Sequence, residues 1–315
     1  MLLIRNAMNR RRFLQRAAAS AAAGTLAAGT LGACAAGSDR TSSRASSPSA
    51  SSSSADASSG RSPGAVLQAL GVQLYTVRGL MDENVGETLG AVASAGYETV
   101  ETAGLHGLSP TAFAEQLQRH DLRSLAGHYG LGALQNETER IVGTAKELGQ
   151  QYVVAPWLAE EKRQRLDDYR AVADTFNQVG ERFQKAGLRF GYHNHGFEFE
   201  TFGGERPAYD VLLERADPEL VTMEADVYWM YKAGYDPVSY FEQYPGRFEL
   251  AHFKGGTAPP EKEMVDVGAG ALDFEKMLAL GEQAGLRFAF VEHDEPSDAL
   301  ASIRASYDHL SGLQP

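Results

Sequence analysis

Leu188-Arg189-Phe190-Gly191-Tyr192-His193-Asn194-His195-Gly196-Phe197-Glu198-Phe199 is the stretch that decides the fold. An apolar run ends there in imidazoles, directly after a long amphipathic stretch (167–185) closed by Ala186-Gly187. Glycine just past a helical pattern permits the left-handed cap, and a short β-prone run after it reads as a strand. The same order recurs at Ala95-Gly96, Leu148-Gly149 and Ala284-Gly285. Working outward from this unit, candidate strands fall at 71–75, 99–102, 123–128, 152–155, 188–193, 220–226, 248–252 and 288–292. Helical patterns lie between them at 87–95, 110–120, 137–148, 167–185 and 273–284. Eight strand–helix repeats over roughly 250 residues predict an α/β fold, a closed (β/α)8 TIM barrel. A doubly wound open sheet would need a Gly-rich phosphate loop after an early strand, and the sequence has none. Length alone also permits two smaller domains.

The barrel is expected over residues 66–315. Residues 35–65 are rich in Ser, Ala and Gly and too poor in large apolar groups to offset ordering entropy, so they read as a disordered linker. Residues 1–34 read as an export leader. Arg10-Arg11-Arg12-Phe13-Leu14 has the twin-arginine pattern and precedes a mildly apolar run. Leu31-Gly32-Ala33-Cys34 then resembles a lipobox, with Cys34 as the lipidation site and the membrane reached only through that anchor. An ordinary cleaved Tat signal is the alternative. The expected location is therefore the cell envelope or periplasm. Cys34 is the only cysteine, so the barrel has neither disulfide nor thiolate metal site. The first 60 residues hold seven Arg and two Asp; the remainder carries 22 basic and 39 acidic residues, a net charge of −17. Such a body repels phosphate backbones, which argues against nucleic acid as a partner.

Reactive groups of this fold gather at the C-terminal ends of the strands. There the sequence offers His128; His193 and His195; Glu224 and Asp226; His252 and Lys254; and Glu292. Side chains two apart share a strand face, which pairs His193 with His195 and Glu224 with Asp226. Imidazole nitrogens with carboxylate oxygens suit Mn²⁺, Zn²⁺, Mg²⁺, Co²⁺ or Fe²⁺. Such an ion, chelated by adjacent sugar oxygens, acidifies a C–H beside a carbonyl and stabilises the enediolate. A single His at a strand end is more often hydrogen-bonded than ligating, so the argument rests on successive strand ends. Lys254, His128, His195, Tyr75 and Glu101 are candidates for contacting substrate, and Trp229 reads as packing or as a sugar platform. Arg78 and His106 are further pocket candidates.

At these residues the chain resembles the sugar phosphate isomerase/epimerase family of the xylose-isomerase-like barrels. The resemblance spans most of residues 70–310. It is carried by Gly71-Val72-Gln73-Leu74-Tyr75-Thr76-Val77-Arg78, Tyr192-His193-Asn194-His195 with Phe197-Glu198-Phe199, Asp226-Val227-Tyr228-Trp229, His252-Phe253-Lys254 and Val291-Glu292. It implies a metal-dependent isomerase or epimerase of a sugar or keto-sugar, with a divalent ion held by His193, Asp226, His252 and Glu292. Position 193 departs from the family, which typically carries Glu there. Strict two-base epimerisation then leaves Glu292 as the matched carboxylate and needs Glu198 or Glu224 as the other base. The His-rich fifth strand resembles inosose dehydratases, so a lyase or dehydratase of keto-sugars, of the 3-keto-glycoside or inosose type, is the alternative. A sugar-binding lipoprotein without catalysis is a further one.

Overall fold

The computed structural model describes residues 67–204 and 206–313. The expected leader, the linker and Cys34 lie outside the described residues. Eight parallel strands close a barrel: β1 (Ala69–Gln73), β2 (Thr99–Thr102), β3 (Arg123–His128), β4 (Tyr152–Ala155), β5 (Arg189–His193), β6 (Val221–Asp226), β7 (Leu250–Phe253) and, after a small hairpin, β10 (Phe288–Val291). Successive strands are neighbours, and β10 closes the ring between β7 and β1. Between β7 and β10, β8 (Gly255–Gly256) pairs antiparallel with β9 (Met264–Val265). The closed ring excludes the open-sheet alternative. Among the described residues no helix is long and apolar enough to cross a membrane.

Three strands coincide with the sequence reading and the others shift at their ends. β1 ends at Gln73, which leaves Tyr75 in the turn that follows. β5 ends at His193, so His195 lies beyond the pleat and does not share a face with His193 through alternation. The expected 273–284 helix divides at Leu280 into Phe274–Ala279 and Gly281–Ala284. The hairpin is absent from the sequence reading, because Gly255–Gly256 carries no β signal and its partner, Met264–Val265, is only two residues long. Gly149 and Gly285 do adopt the left-handed cap, with φ of 73° and 85°.

The helix Leu166–Lys185 shows why these elements pack. Tyr169, Val172, Ala173, Phe176, Val179 and Phe183 recur at three- and four-residue spacing and are buried. Asp168 caps the start, accepting from the amides of Gln164 and Arg165 at 3.0 and 2.9 Å. Phe176 meets the outward rings of Phe190 and Tyr192 on β5, with centroids 5.5 and 4.7 Å apart. Each such ring contributes about 1.5–3 kcal/mol of burial. Gly180 permits the approach to the next strand, since a Cβ there would lie 2.5 Å from the Leu220 carbonyl oxygen.

A second, smaller core fills the lumen, formed by Leu125, Tyr152, Val154, Leu250, Phe288 and Phe290. The two-residue pleat carries this lining upward and changes its chemistry. Leu250 gives way to His252 and Phe290 to Glu292. The lumen is therefore apolar below and ionic above, and the ionic layer is the C-terminal mouth.

Candidate metal centre

Every strand end around the mouth except that of β4 delivers one or two polar side chains, and nearly all are buried. Gln73, Glu101, His193, Glu224, Asp226, His252, Lys254 and Glu292 are each at most 6% exposed. His193, Asp226, His252 and Glu292 each offer a donor atom within 4.8 Å of the other three. A second grouping, His128, His193, Glu224 and His252, meets the same limit deeper in the lumen.

The hydrogen bonds favour the upper grouping as the ion-holding one. His193 Nδ1 lies 3.2 Å from Glu224 Oε2, while its Nε2 faces Asp226 Oδ2 at 3.6 Å. His252 Nε2 lies 2.6 Å from Glu101 Oε2, while its Nδ1 faces Glu292 Oε2 at 2.7 Å. Each imidazole thus has one nitrogen anchored on a buried carboxylate and the other turned to the upper group. This is how ligand histidines are ordinarily oriented, the second N–H held by a carboxylate that fixes tautomer and ring plane. His128 joins the two anchors, its Nε2 lying 3.2 Å from Glu101 and 3.0 Å from Glu224.

Other contacts position the two upper carboxylates. Asp226 Oδ1 accepts from the Trp229 amide at 2.9 Å and caps the helix Val227–Lys232. That leaves Oδ2 for the centre. The Asp226 amide donates to Asn194 Oδ1 at 3.0 Å, which ties the ends of β5 and β6 together. Lys254 Nζ lies 2.9 Å from Asp226 Oδ2, 2.8 Å from Glu292 Oε2 and 2.8 Å from Asp294 Oδ1. The chain's own ammonium thus stands between two candidate ligand oxygens, as a cation would. Glu101 Oε1 and Glu224 Oε1 are buried with no hydrogen-bond partner among the described residues. An N₂O₂ donor set, a resident ammonium and open carboxylate acceptors together fit a divalent cation.

Electrostatics divide the titrating groups into two kinds. Burial opposes a charge on His252, but Glu224, Glu292 and Glu101 outweigh it and hold its pKa well above the usual value. His128 follows the same balance, lifted to about 9 against burial by Glu101 and Glu224. His193 goes the other way, pushed down to about 3 by burial and the neighbouring His252, and so presents a neutral ligand nitrogen. Burial raises Asp226 to about 6, with Lys254 and His252 opposing. Glu292 stays well below its usual range because Lys254 and His252 overcome burial.

Not every expected residue reaches the centre. Glu198 is turned away: its carboxyl accepts from the Tyr192 hydroxyl, on the helix-facing side of β5, and from the His195 amide at 2.9 Å. Burial raises it to about 8. It fixes the loop after β5 and is not placed as a base. Glu224 does face the lumen, but Oε2 is engaged by three imidazoles. Tyr75, His195 and Trp229 stand on the rim. Arg78 lies over the Tyr75 ring at 4.0 Å, and His106 pairs with Asp82 at 2.9 Å. Sequence reasoning missed Gln73, whose Nε2 donates to Glu101 at 2.8 Å, and also Asn194, Asp294 and Trp157. Gln73, Asn194 and Asp294 sit within or beside the motifs, and Trp157 follows a strand, so position alone could have found them.

Fold and site together define a (β/α)8-barrel with a buried His–carboxylate centre at its C-terminal mouth. Residues 89–310 match the xylose isomerase-like TIM barrel family, and the chain belongs to that family. No curated protein sequence matches it. Among solved structures it is similar to a sugar phosphate isomerase/epimerase from Parabacteroides distasonis, with 24% identity, 81% of this chain and 96% of that one covered, and a TM-score of 0.68. It is also similar to the IOLI protein with a binding zinc atom (19% identity, 78% and 97% covered, TM-score 0.62). A third is the probable 3-DHS dehydratase from Bacillus anthracis (12% identity, 77% and 98% covered, TM-score 0.61). At these identities the likeness shows the shared fold.

Proposed function

We propose that this chain is a metal-dependent isomerase or epimerase of a sugar or keto-sugar, moving a proton beside a carbonyl. The observation that carries this reading is the convergence of His193, Asp226, His252 and Glu292 within 4.8 Å, with both imidazoles anchored on buried carboxylates. A divalent ion held by those four residues (Mn, Zn, Mg, Co or Fe) supplies Lewis acidity that makes a C–H beside a carbonyl removable near neutral pH. The chain's own groups do the rest. Glu101 and Glu224 hold the ligand imidazoles. In this reading Glu292 takes the proton. The Lys254 ammonium donates to the oxygen on which charge develops. The likeness to a sugar phosphate isomerase/epimerase supports a small sugar as substrate.

A second reading is favoured by one specific observation. With His193 at a position where the resemblance calls for Glu, and Glu198 turned away, a single carboxylate is left for proton abstraction. Elimination needs one base and one acid, which Glu292 and Lys254 can provide, so a keto-sugar lyase or dehydratase uses the same centre. Product analysis of keto-sugars with the metal-loaded protein separates the two. Isomers of unchanged mass support the first reading, and loss of water or an aglycone supports the second. No conversion under any of the five metals contradicts both and leaves the sugar-binding alternative.

We further propose that residues 1–34 export the chain by the Tat pathway and that Cys34 carries a lipid. Cys34→Ala is then expected to move the protein from the membrane to the soluble envelope fraction. An unchanged membrane fraction contradicts the anchor.

A further inference from the structure

His128, a candidate for touching substrate by its place at the end of β3, has both ring nitrogens engaged inside the lumen. Its Nε2 points at two carboxylates at once, 3.2 Å from Glu101 Oε2 and 3.0 Å from Glu224 Oε2. Its Nδ1 lies 3.4 Å from Gln73 Nε2, which itself donates to Glu101 at 2.8 Å. The side chain is only 10% exposed. The two oxygens it joins are the ones that hold the candidate ligands. Glu101 Oε2 lies 2.6 Å from His252 Nε2, and Glu224 Oε2 lies 3.2 Å from His193 Nδ1. The His128 ring is 5.4 Å from both ligand rings by centroids and nearly parallel to that of His252, with planes 10° apart. Glu101 comes from β2 and Glu224 from β6, with three strands between them in either direction around the closed ring. No strand pairing links these two carboxylates. His252 Nε2 reaches both oxygens, at 2.6 and 3.2 Å, but His252 is one of the groups to be oriented. His128 is the bridge that stands outside the upper group.

We propose that His128 is a positioning residue for the ion: by sharing one N–H between Glu101 and Glu224 it fixes the two carboxylates across the barrel, and through them orients His252 and His193 as a pair. The inference rests on the reading above, in which these two imidazoles are ligands. Without His128, only a ligand stands between two buried carboxylates. They repel and part, and the imidazole that each one holds turns with it. Partners of ligand imidazoles alter metal affinity about 10–100-fold when they are removed. His128 thus sets the affinity from two contacts away, with no bond to the ion or to the substrate.

The test uses the full chain with two substitutions. His128→Leu removes the donor. His128→Gln supplies an amide with two N–H groups at a similar reach, which serve both carboxylates without a ring or a charge. Zn²⁺ affinity is measured by competition with a chelator, and the imidazole ¹⁵N resonances are recorded on metal-free protein. His128→Leu should bind Zn²⁺ about 10–100-fold more weakly, and His128→Gln should recover most of that loss. In the metal-free spectra the resonances of both His193 and His252 should shift in His128→Leu and return toward their wild-type positions in His128→Gln. Those of His120 and His309, on the outer helices, should stay in place and certify the fold. If His128→Leu does not fold, His128→Asn, whose shorter amide cannot reach both carboxylates, takes its place in the same comparison. Unchanged or tighter Zn²⁺ binding without the donor, equal loss in both variants, or His193 and His252 resonances that do not move overturns the proposal. A wild-type chain that takes up no metal contradicts the function proposed above, while the metal-free resonances still decide the role of His128, so the two failures are distinguishable.

Discussion

The two ends of the barrel are made by the same strands and both carry charge, yet they balance it in opposite ways. At the N-terminal end Glu249 lies 2.8 Å from Arg189 and 3.5 Å from Arg287, and the Tyr152 hydroxyl donates to it at 2.7 Å. One carboxylate meets two guanidiniums, and all three side chains are partly exposed. At the C-terminal end Glu101, Glu224, Asp226 and Glu292 are buried together, and Lys254 is the permanently charged cation that the described residues set against them. Burying unbalanced carboxylates costs several kcal/mol each unless a proton or cation compensates. The lower end is satisfied by the protein itself. The upper end needs protons on His128 and His252, or an ion.

The strongest way to break this contrast is to remove a ligand from the upper end. Asp226→Ala or His252→Ala is expected to abolish metal binding while far-UV circular dichroism still reports a folded barrel. Full metal content in both variants would mean that the wrong group has been assigned. Removing the resident cation should act in the other direction. Lys254→Met leaves Asp226 and Glu292 facing each other and should destabilise the metal-free protein by about 3–5 kcal/mol in denaturant unfolding. The same change should strengthen metal binding, because the ion no longer competes with the ammonium. Weaker binding in that variant would show that Lys254 assists the ion.

The proton balance sharpens the picture further. His252 holds its proton tightly in the metal-free state, and a ligand nitrogen must give that proton up. Metal affinity should therefore rise with pH, by about tenfold per unit where one proton is released. Calorimetry between pH 6 and 8 in buffers of different ionisation enthalpy reads both the slope and the proton. A flat profile would mean that His252 is not a ligand. The smallest effect belongs to the lower end. Glu249→Gln should cost about 1 kcal/mol, as for a partly exposed ion pair, and leave metal binding unchanged. A metal defect there would dissolve the distinction between the two ends.

Much of the fold was legible because glycine caps and apolar runs repeat with the period of the strand–helix unit. The strand ends were less legible, since a continuous apolar run does not show where pairing stops. β5 could be read through to His195, but it stops at His193, and His195 belongs to the loop that follows. At the centre, residue type and position picked out the His and carboxylate residues at the strand ends, and the family resemblance narrowed them to His193, Asp226, His252 and Glu292, whose donor atoms do converge. Residue type and position could not tell an orienting carboxylate from a reacting one. Glu101 and Glu224 declare their part only through which imidazole nitrogen they hold. Glu198 misleads in sequence for a related reason: it sits in the motif, yet the short helical turn Phe197–Phe199 carries its carboxyl to the Tyr192 hydroxyl behind the strand.

The central claim is that the upper end is completed by one divalent ion. The most direct measurement is elemental analysis of the purified full chain after equilibration with Mn²⁺, Zn²⁺, Mg²⁺, Co²⁺ or Fe²⁺ and removal of loosely bound ions. The account predicts one ion per chain for at least one of these metals. A folded protein that retains none of them would contradict it.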